Sequence, residues 1–208
     1  PTEPTLPVQF DYTVAVDDTD SLAVTSAGAG TGFLTGDFIQ ETFDNLSDRK
    51  QRAVITVNSY TVDDKGNTRC TGASRTIDIW VEPTPRALYT TADDTICNSE
   101  VTDIQLHSPS IPTVGVKFTY TSTASDPSIT GNTNGTLNEG ESIQDALINS
   151  NEVYGFVEYT ITPWTIKSDG SLRCSGPSVK DTIWVEPTII LEAENDTICD
   201  NTSTNIEV

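Results

Sequence analysis

The chain has 208 residues, with 31 acidic and 11 basic side chains and a formal net charge of −20. That balance excludes phosphate-backbone binding, which needs clustered Lys and Arg, so no nucleic acid is expected as partner. It equally excludes docking on anionic lipid, and no apolar run approaches the roughly 20 residues of a spanning helix, so no membrane insertion is expected. The chain starts without Met or a signal-peptide pattern and reads as an internal piece of something longer.

Taken in order, VQFDYT (8–13) alternates apolar and polar residues, as a half-buried strand does. Asp17, Asp18 and Asp20 form a DDTD cluster. Calcium is the one cofactor these acids suggest, but it takes six to eight oxygens from a shaped loop, and the full EF-hand spacing is missing. They are read as solvated loop acids, and no cofactor is assigned. GAGTG (28–32) is loop-like and is no strand-linked phosphate loop. IQETFDNL (39–46) sets Ile39, Phe43 and Leu46 on one helical face and predicts a short helical turn that depends on packing. AVITVNSYTV (53–62) is a longer strand, and the polar DDKGN turn leads to a strand ending IWVEPT (79–84).

The chain then repeats itself. RCTGASRTIDIWVEPT (69–84) recurs as RCSGPSVKDTIWVEPT (173–188), 104 residues later. PTEPTLPVQFDYT (1–13) matches PSIPTVGVKFTYT (109–121), and DDTICNSEVTDIQL (93–106) matches NDTICDNTSTNIEV (195–208). IQDALINS (143–150) and FVEYTITPWTI (156–166) repeat the turn and the long strand. A period just over 100 residues is the size of a small domain rather than of a solenoid unit. The expected class is all-β: tandem Greek-key sandwiches, each with one short helical turn. One parse gives domains at 1–106 and 107–208, joined by HSPSIPT (107–113). The other gives a partial repeat at 1–84, a complete one at 87–188 and the start of a third at 189–208.

Cys70, Cys97, Cys174 and Cys199 contain no CxxC pair, so zinc is not expected. Few, widely spaced cysteines in a Thr-, Ser-, Asn- and Asp-rich chain fit structural disulfides in an extracellular protein. A hairpin of IDIWVE with ALYTT through the EPT turn brings Cys70 to Cys97, and Cys174 to Cys199 in the second copy. The alternative is Cys97–Cys174, with Cys70 and Cys199 paired outside the chain. A loop of such length closed by a disulfide gains about 3 kcal/mol.

Catalysis is not expected. His107 is the only histidine, absent from the other repeat and read as a loop side chain, so no Ser-His-Asp or Cys-His set can recur. Trp80 and Trp184 occupy the same repeat position and are read as packing residues rather than as sugar-stacking platforms.

DTICN with a following TxIxL strand, FTYT, VEYTITP, CSG and IWVEPT together resemble the PKD-like, Ig-like repeats of giant Bacteroidota surface proteins, the SprB-like gliding-motility adhesins. The first repeat departs from that pattern, with DNLS for INSN and VNSY for ITPW. The resemblance implies export by type IX secretion, a cell-surface location and a long filament whose partners are its own neighbouring repeats. It also implies O-glycosylation at Asp-Ser/Thr-apolar sites, here Thr95, Thr182, Thr197 and Ser21. The expected role is a stalk that spaces and presents an adhesive region and transmits force in attachment or gliding. The alternative is a repeat that itself binds a surface glycan or protein through loops 14–37 or 122–141.

Overall fold

The computed structural model describes residues 5–190 and 198–204. Every regular element among them is a strand. In chain order these are β1 (Val8–Val16), β2 (Leu22–Val24), β3 (Ala29–Phe33), β4 (Phe43–Asn45), β5 (Gln51–Val62), β6 (Thr68–Thr71), β7 (Arg75–Val81), β8 (Leu88–Thr91) and β9 (Thr95–Ile96). There follow β10 (Ile104–His107), β11 (Val116–Ala124), β12 (Ile129–Thr130), β13 (Gly135–Asn138), β14 (Ser142–Ile143), β15 (Ile148–Asn149), β16 (Gly155–Ile166), β17 (Leu172–Ser175) and β18 (Val179–Val185). The fold class is all-β and consistent with an Ig-like β-sandwich.

The chain divides into two compact units. The first comprises 1–88, 107–118 and 162–178, and the second 89–106, 119–161 and 179–208. In the first unit β5 is the central strand, rich in the β-branched residues that suit a pleated surface. It pairs antiparallel with β1 from Val8↔Thr61 to Val16↔Ala53, and with β7 from Gln51↔Val81 to Val57↔Arg75. β3 lies outside β1, and β6 continues the far end of β5. Tyr12, Ala53 and Ile55 point inward and are buried.

In the second unit Val157, Tyr159 and Ile161 of β16 are fully buried and alternate with half-exposed neighbours. β18 pairs with β16 from Gly155↔Val185 to Ile161↔Val179. β9 then joins β18 in parallel, Trp184 opposite Thr95 and Val185 opposite Ile96. A separate sheet has β10 between β8 and β14, with Ile104 opposite Ile143. Ile104, Leu106 and Leu147 have no exposed surface. Burying such side chains is the main favourable term in folding.

Two expectations are corrected. No helical turn forms at 39–46 or 143–150 among the described residues: β4 occupies the first, β14 and β15 the second. Burial from Ile143 through Asp145 and Leu147 to Asn149 has period two, so extended backbone satisfies the spacing better than a helix would. The hairpin of β7 with β8 is also absent, since β7 pairs with β5 and β8 with β10. Pro83 and Pro85 lack the N–H groups that a ladder across the turn needs, and both are buried.

Ile161→Ala is expected to lower stability by about 2–5 kcal/mol in urea denaturation, because a fully buried side chain leaves a cavity. Ile77→Ala, on the exposed face of β7, is expected to stay within about 0.5 kcal/mol.

Candidate functional site

Two polar devices occur in both repeats, the second with its tyrosine on a different strand in each, Tyr12 on β1 and Tyr159 on β16. The first is an asparagine clamp. The Asn45 amide donates to the carbonyls of Arg49 (2.8 Å) and Val81 (2.9 Å), and its oxygen accepts from the Ser47 N–H (3.0 Å). The Asn149 amide does the same to Val153 (2.9 Å) and Val185 (3.0 Å), and its oxygen accepts from Asn151 (2.9 Å). Each Asn sits 104 residues from its counterpart and ties the end of the last strand to an irregular turn. Buried carbonyls left without such donors would be costly.

The second device latches a carboxylate to tyrosine. Glu41 accepts from the Tyr12 hydroxyl (2.5 Å) and the Gly28 N–H (3.1 Å), and from the Ser26 hydroxyl. Those bonds hold the Glu41 carboxyl below its usual range, Ser26 contributing most, and raise the Tyr12 phenol. Asp145, buried, accepts from the Tyr159 hydroxyl (2.8 Å), the Thr133 N–H (2.8 Å) and the Thr133 hydroxyl (2.7 Å). Burial, then the Asp145 contact, push the Tyr159 phenol far above its ordinary value. A glycine also faces a tyrosine at the same place in each repeat: a β-carbon on Gly30 would come within 2.7 Å of the Tyr12 ring, and one on Gly135 within 2.9 Å of Tyr120, the repeat counterpart of Tyr12. These contacts brace loops against a sheet. They present no nucleophile beside a base, and His107 ends β10 half-buried rather than lying in a loop.

Within the first unit, the 82–88 segment is pinned on both sides. The Arg86 guanidinium grips Asp48 twice (3.1 and 2.6 Å), the Arg86 N–H donates to the Ser110 hydroxyl (3.1 Å), and the Ser108 hydroxyl donates to the Arg86 carbonyl (2.7 Å). Glu82 accepts from the Thr113 N–H (2.9 Å) and faces Arg173 at 4.0 Å. Beside it lies a cleft of about 680 Å³ lined by Trp80, Lys50, Lys167, Arg173 and Glu82 among others. The Lys50 ammonium stands 4.8 Å from the centre of the Trp80 ring. Trp184, by contrast, packs on Tyr154 (5.5 Å) and Phe156 (5.0 Å).

The remaining sequence candidates lie apart from these devices. All four cysteines are free and exposed, so neither pairing that the sequence left open is formed in this structure. The β7–β8 hairpin on which the Cys70–Cys97 pairing depended is also absent. Cys70 and Cys174 hold equivalent places on β6 and β17, each N–H reaching a threonine hydroxyl at 3.2 Å, Thr61 and Thr165 respectively. Thr95 is exposed on β9, and Thr182 is half-buried on β18. Ser21 is half-buried and donates to Asp18 (2.6 Å), whose carboxylate closes a turn by also accepting from the Asp20 N–H (3.0 Å). Thr197 lies outside the described residues.

A buried carboxylate latch and an asparagine clamp both lie in the stretch between β9 and β18. Residues 94–189 match the family model of the PKD-like domain. No curated protein matches the chain. PKD-like domains are generally non-catalytic, and the match suggests an extracellular repeat domain. Thr95, Cys97, Cys174 and Thr182 fall within the PKD-like stretch, whereas Ser21, Cys70 and Cys199 fall outside it. Sequence reasoning missed the clamps and latches, although Asn45/Asn149 and Glu41/Asp145 share the 104-residue offset that would have marked them.

The raised Tyr159 phenol stabilises the fold below the unfolded-state value of about 10 and loses that contribution as pH rises above it. Tyr159→Phe is expected to flatten the alkaline limb of a Tm-versus-pH curve. Depressed Glu41 acts oppositely: its contribution is present above the unfolded value of about 4.3 and is lost as pH falls below it. Glu41→Gln is expected to flatten the acid limb.

Proposed function

We propose that the chain is a spacer from a long extracellular surface adhesin, built of repeats that begin near the VEPT–TIC segments. On this reading 87–188 is one whole module, flanked by a partial one at 1–84 and the start of another at 189–208. The family match at 94–189 and the pairing of β9 onto β18 support these boundaries. The role is to hold an adhesive region at a distance and to carry load along the polypeptide, at a cell surface reached by secretion.

The observation that carries the reading is the double pinning of the 82–88 connector, through Arg86 to Asp48 and Ser110 and through Glu82 to Thr113. Two prolines with restricted φ add stiffness. A net charge of −20 keeps such a filament soluble and discourages collapse on itself. O-glycans on Thr95, the most exposed of the described Asp-Thr-Ile sites, extend the same logic.

A second reading, direct ligand binding, is favoured by one observation. Lys50, Lys167 and Arg173 converge with Trp80 on one cleft of an otherwise acidic chain. That lining suits an acidic sugar.

Small-angle scattering separates the two readings. Arg86→Ala is expected to broaden the distance distribution while Tm stays nearly unchanged; an unaltered distribution would sink the spacer reading. Saturable binding on an array of acidic glycans, abolished by Trp80→Ala, would establish the second reading.

A further inference from the structure

Trp80 and Trp184 stand at the same place in the repeat, yet the side chains beside them differ in kind. Lys50 and Arg52 accompany Trp80, whereas their counterparts beside Trp184, each 104 residues on, are Tyr154 and Phe156. In the first unit Arg52 is opposite Trp80, and the Lys50 ammonium stands 4.8 Å from the centre of the indole. The tryptophan at this position thus offers its negative π-face to a cation. In the second unit Phe156 is opposite Trp184, with ring centres 5.0 Å apart. The Tyr154 ring meets Trp184 edge to face at 5.5 Å. The built-in cation has gone, and a third ring has taken its place.

These rings border a cleft instead of closing into the core. Along β18, Ile183 and Val185 are buried, while Trp184 and the following Glu186 project outward. β9 completes the wall: Thr95 is opposite Trp184, and the Glu186 N–H donates to the Ile96 carbonyl (2.9 Å), fixing the main chain that carries the acid. Thr95, Tyr154, Trp184 and Glu186 line an open cleft of about 360 Å³. All four belong to the second unit and fall within 94–189. Tyr154 is 63% exposed and Trp184 38%. The openness belongs to the position, since Trp80, with Thr113, Val114 and Ile166 beside its cleft, is still 52% exposed. Lys180, further back along β18, already has its charge matched by Glu158 (2.6 Å).

We propose that this cleft binds a small quaternary ammonium ion of the choline type. Aromatic faces replace the loosely held water of such a cation, and the Glu186 carboxylate supplies the opposite charge. The net charge of −20 draws cations to the surface and repels anionic carriers, so the free ion is favoured over a phosphate-linked one. The preference is opposite in sign to that of the cleft at Trp80, where Lys50, Lys167 and Arg173 converge. An O-glycan on Thr95 would stand over the same rings, so the two occupants exclude one another. The site is independent of the spacer role: a stalk that binds no ammonium ion still spaces.

The test titrates choline chloride into the full, unglycosylated chain and follows the Trp184 indole N–H resonance, assigned with Trp184→Phe, against sodium chloride at equal ionic strength. A saturable shift with a roughly millimolar dissociation constant is expected. Dimethylbutanol, the uncharged carbon isostere of choline, is expected to bind at least about tenfold more weakly. Glu186→Gln should weaken choline binding by about threefold at low salt. Tyr154→Lys copies the first repeat and sets an ammonium on Trp184. It is expected to abolish the choline shift with Tm unchanged, because Tyr154 is largely exposed. A shift that does not saturate, equal binding of the isostere, tighter binding of phosphocholine, a response to glucose in place of choline, or undiminished binding to Tyr154→Lys would each overturn the proposal.

Discussion

A sheet with one apolar face must have that face covered, and in the second unit a short stretch at 96–106 is buried together with the sheet residues. In the second unit Ile96, Ile104 and Leu106 are almost wholly removed from water, and Ile143, Leu147, Ile183 and Val185 are buried with them. The burial is mutual, so neither layer is stable without the other. In the first repeat the same sheet, with the same central strand and register, keeps Val57, Ile79 and Val81 half-exposed. In the second unit the covering residues precede the long strand β16 by some fifty positions, which couples the covering of the sheet to chain order.

Polar groups then fix what apolar burial leaves loose. Hydrophobic contact is non-directional. The Asn149 amide, by contrast, specifies two carbonyls and one N–H. Asp145 binds a tyrosine from the sheet and a threonine from a loop, placing both against one carboxylate. A fully satisfied buried network of this kind favours a single arrangement. The first repeat uses Glu41 in place of Asp145, and there a half-buried carboxylate reaches an exposed serine and a buried tyrosine from a different strand.

Much of the fold was legible because strand signals are local. The alternation in 8–13, 53–62, 116–121 and 156–166 yields β1, β5, β11 and β16 with small errors at the ends. The turns after β5 and β16 were read from Gly66 and Gly170, both at φ 80°. The segment at 143–150 misled, because its apolar spacing fits a helical face as well as an extended one, and the partner strand that decides between them, β10, lies nearly forty residues away. Pairing of β7 with β8 was inferred from proximity in sequence, whereas β9 joins β18 from some ninety residues away. The latches stayed hidden for the same reason: an isolated Asp or Tyr gives no sign of its partner, and the 104-residue offset relates only the two carboxylates, since Tyr159 stands at the place of Ile55.

The parallel arrangement of β9 and β18 has a mechanical consequence. The stretch that matches the PKD-like model starts just before β9 and ends just after β18, and these two strands run in the same direction. Tension applied through the chain therefore drags them past one another lengthwise. The bonds joining them, including Trp184 N–H to Asp94 and Glu186 N–H to Ile96, are loaded together in shear instead of parting one after another. A small patch of hydrogen bonds in that geometry resists extension far better than the same bonds peeled from one end.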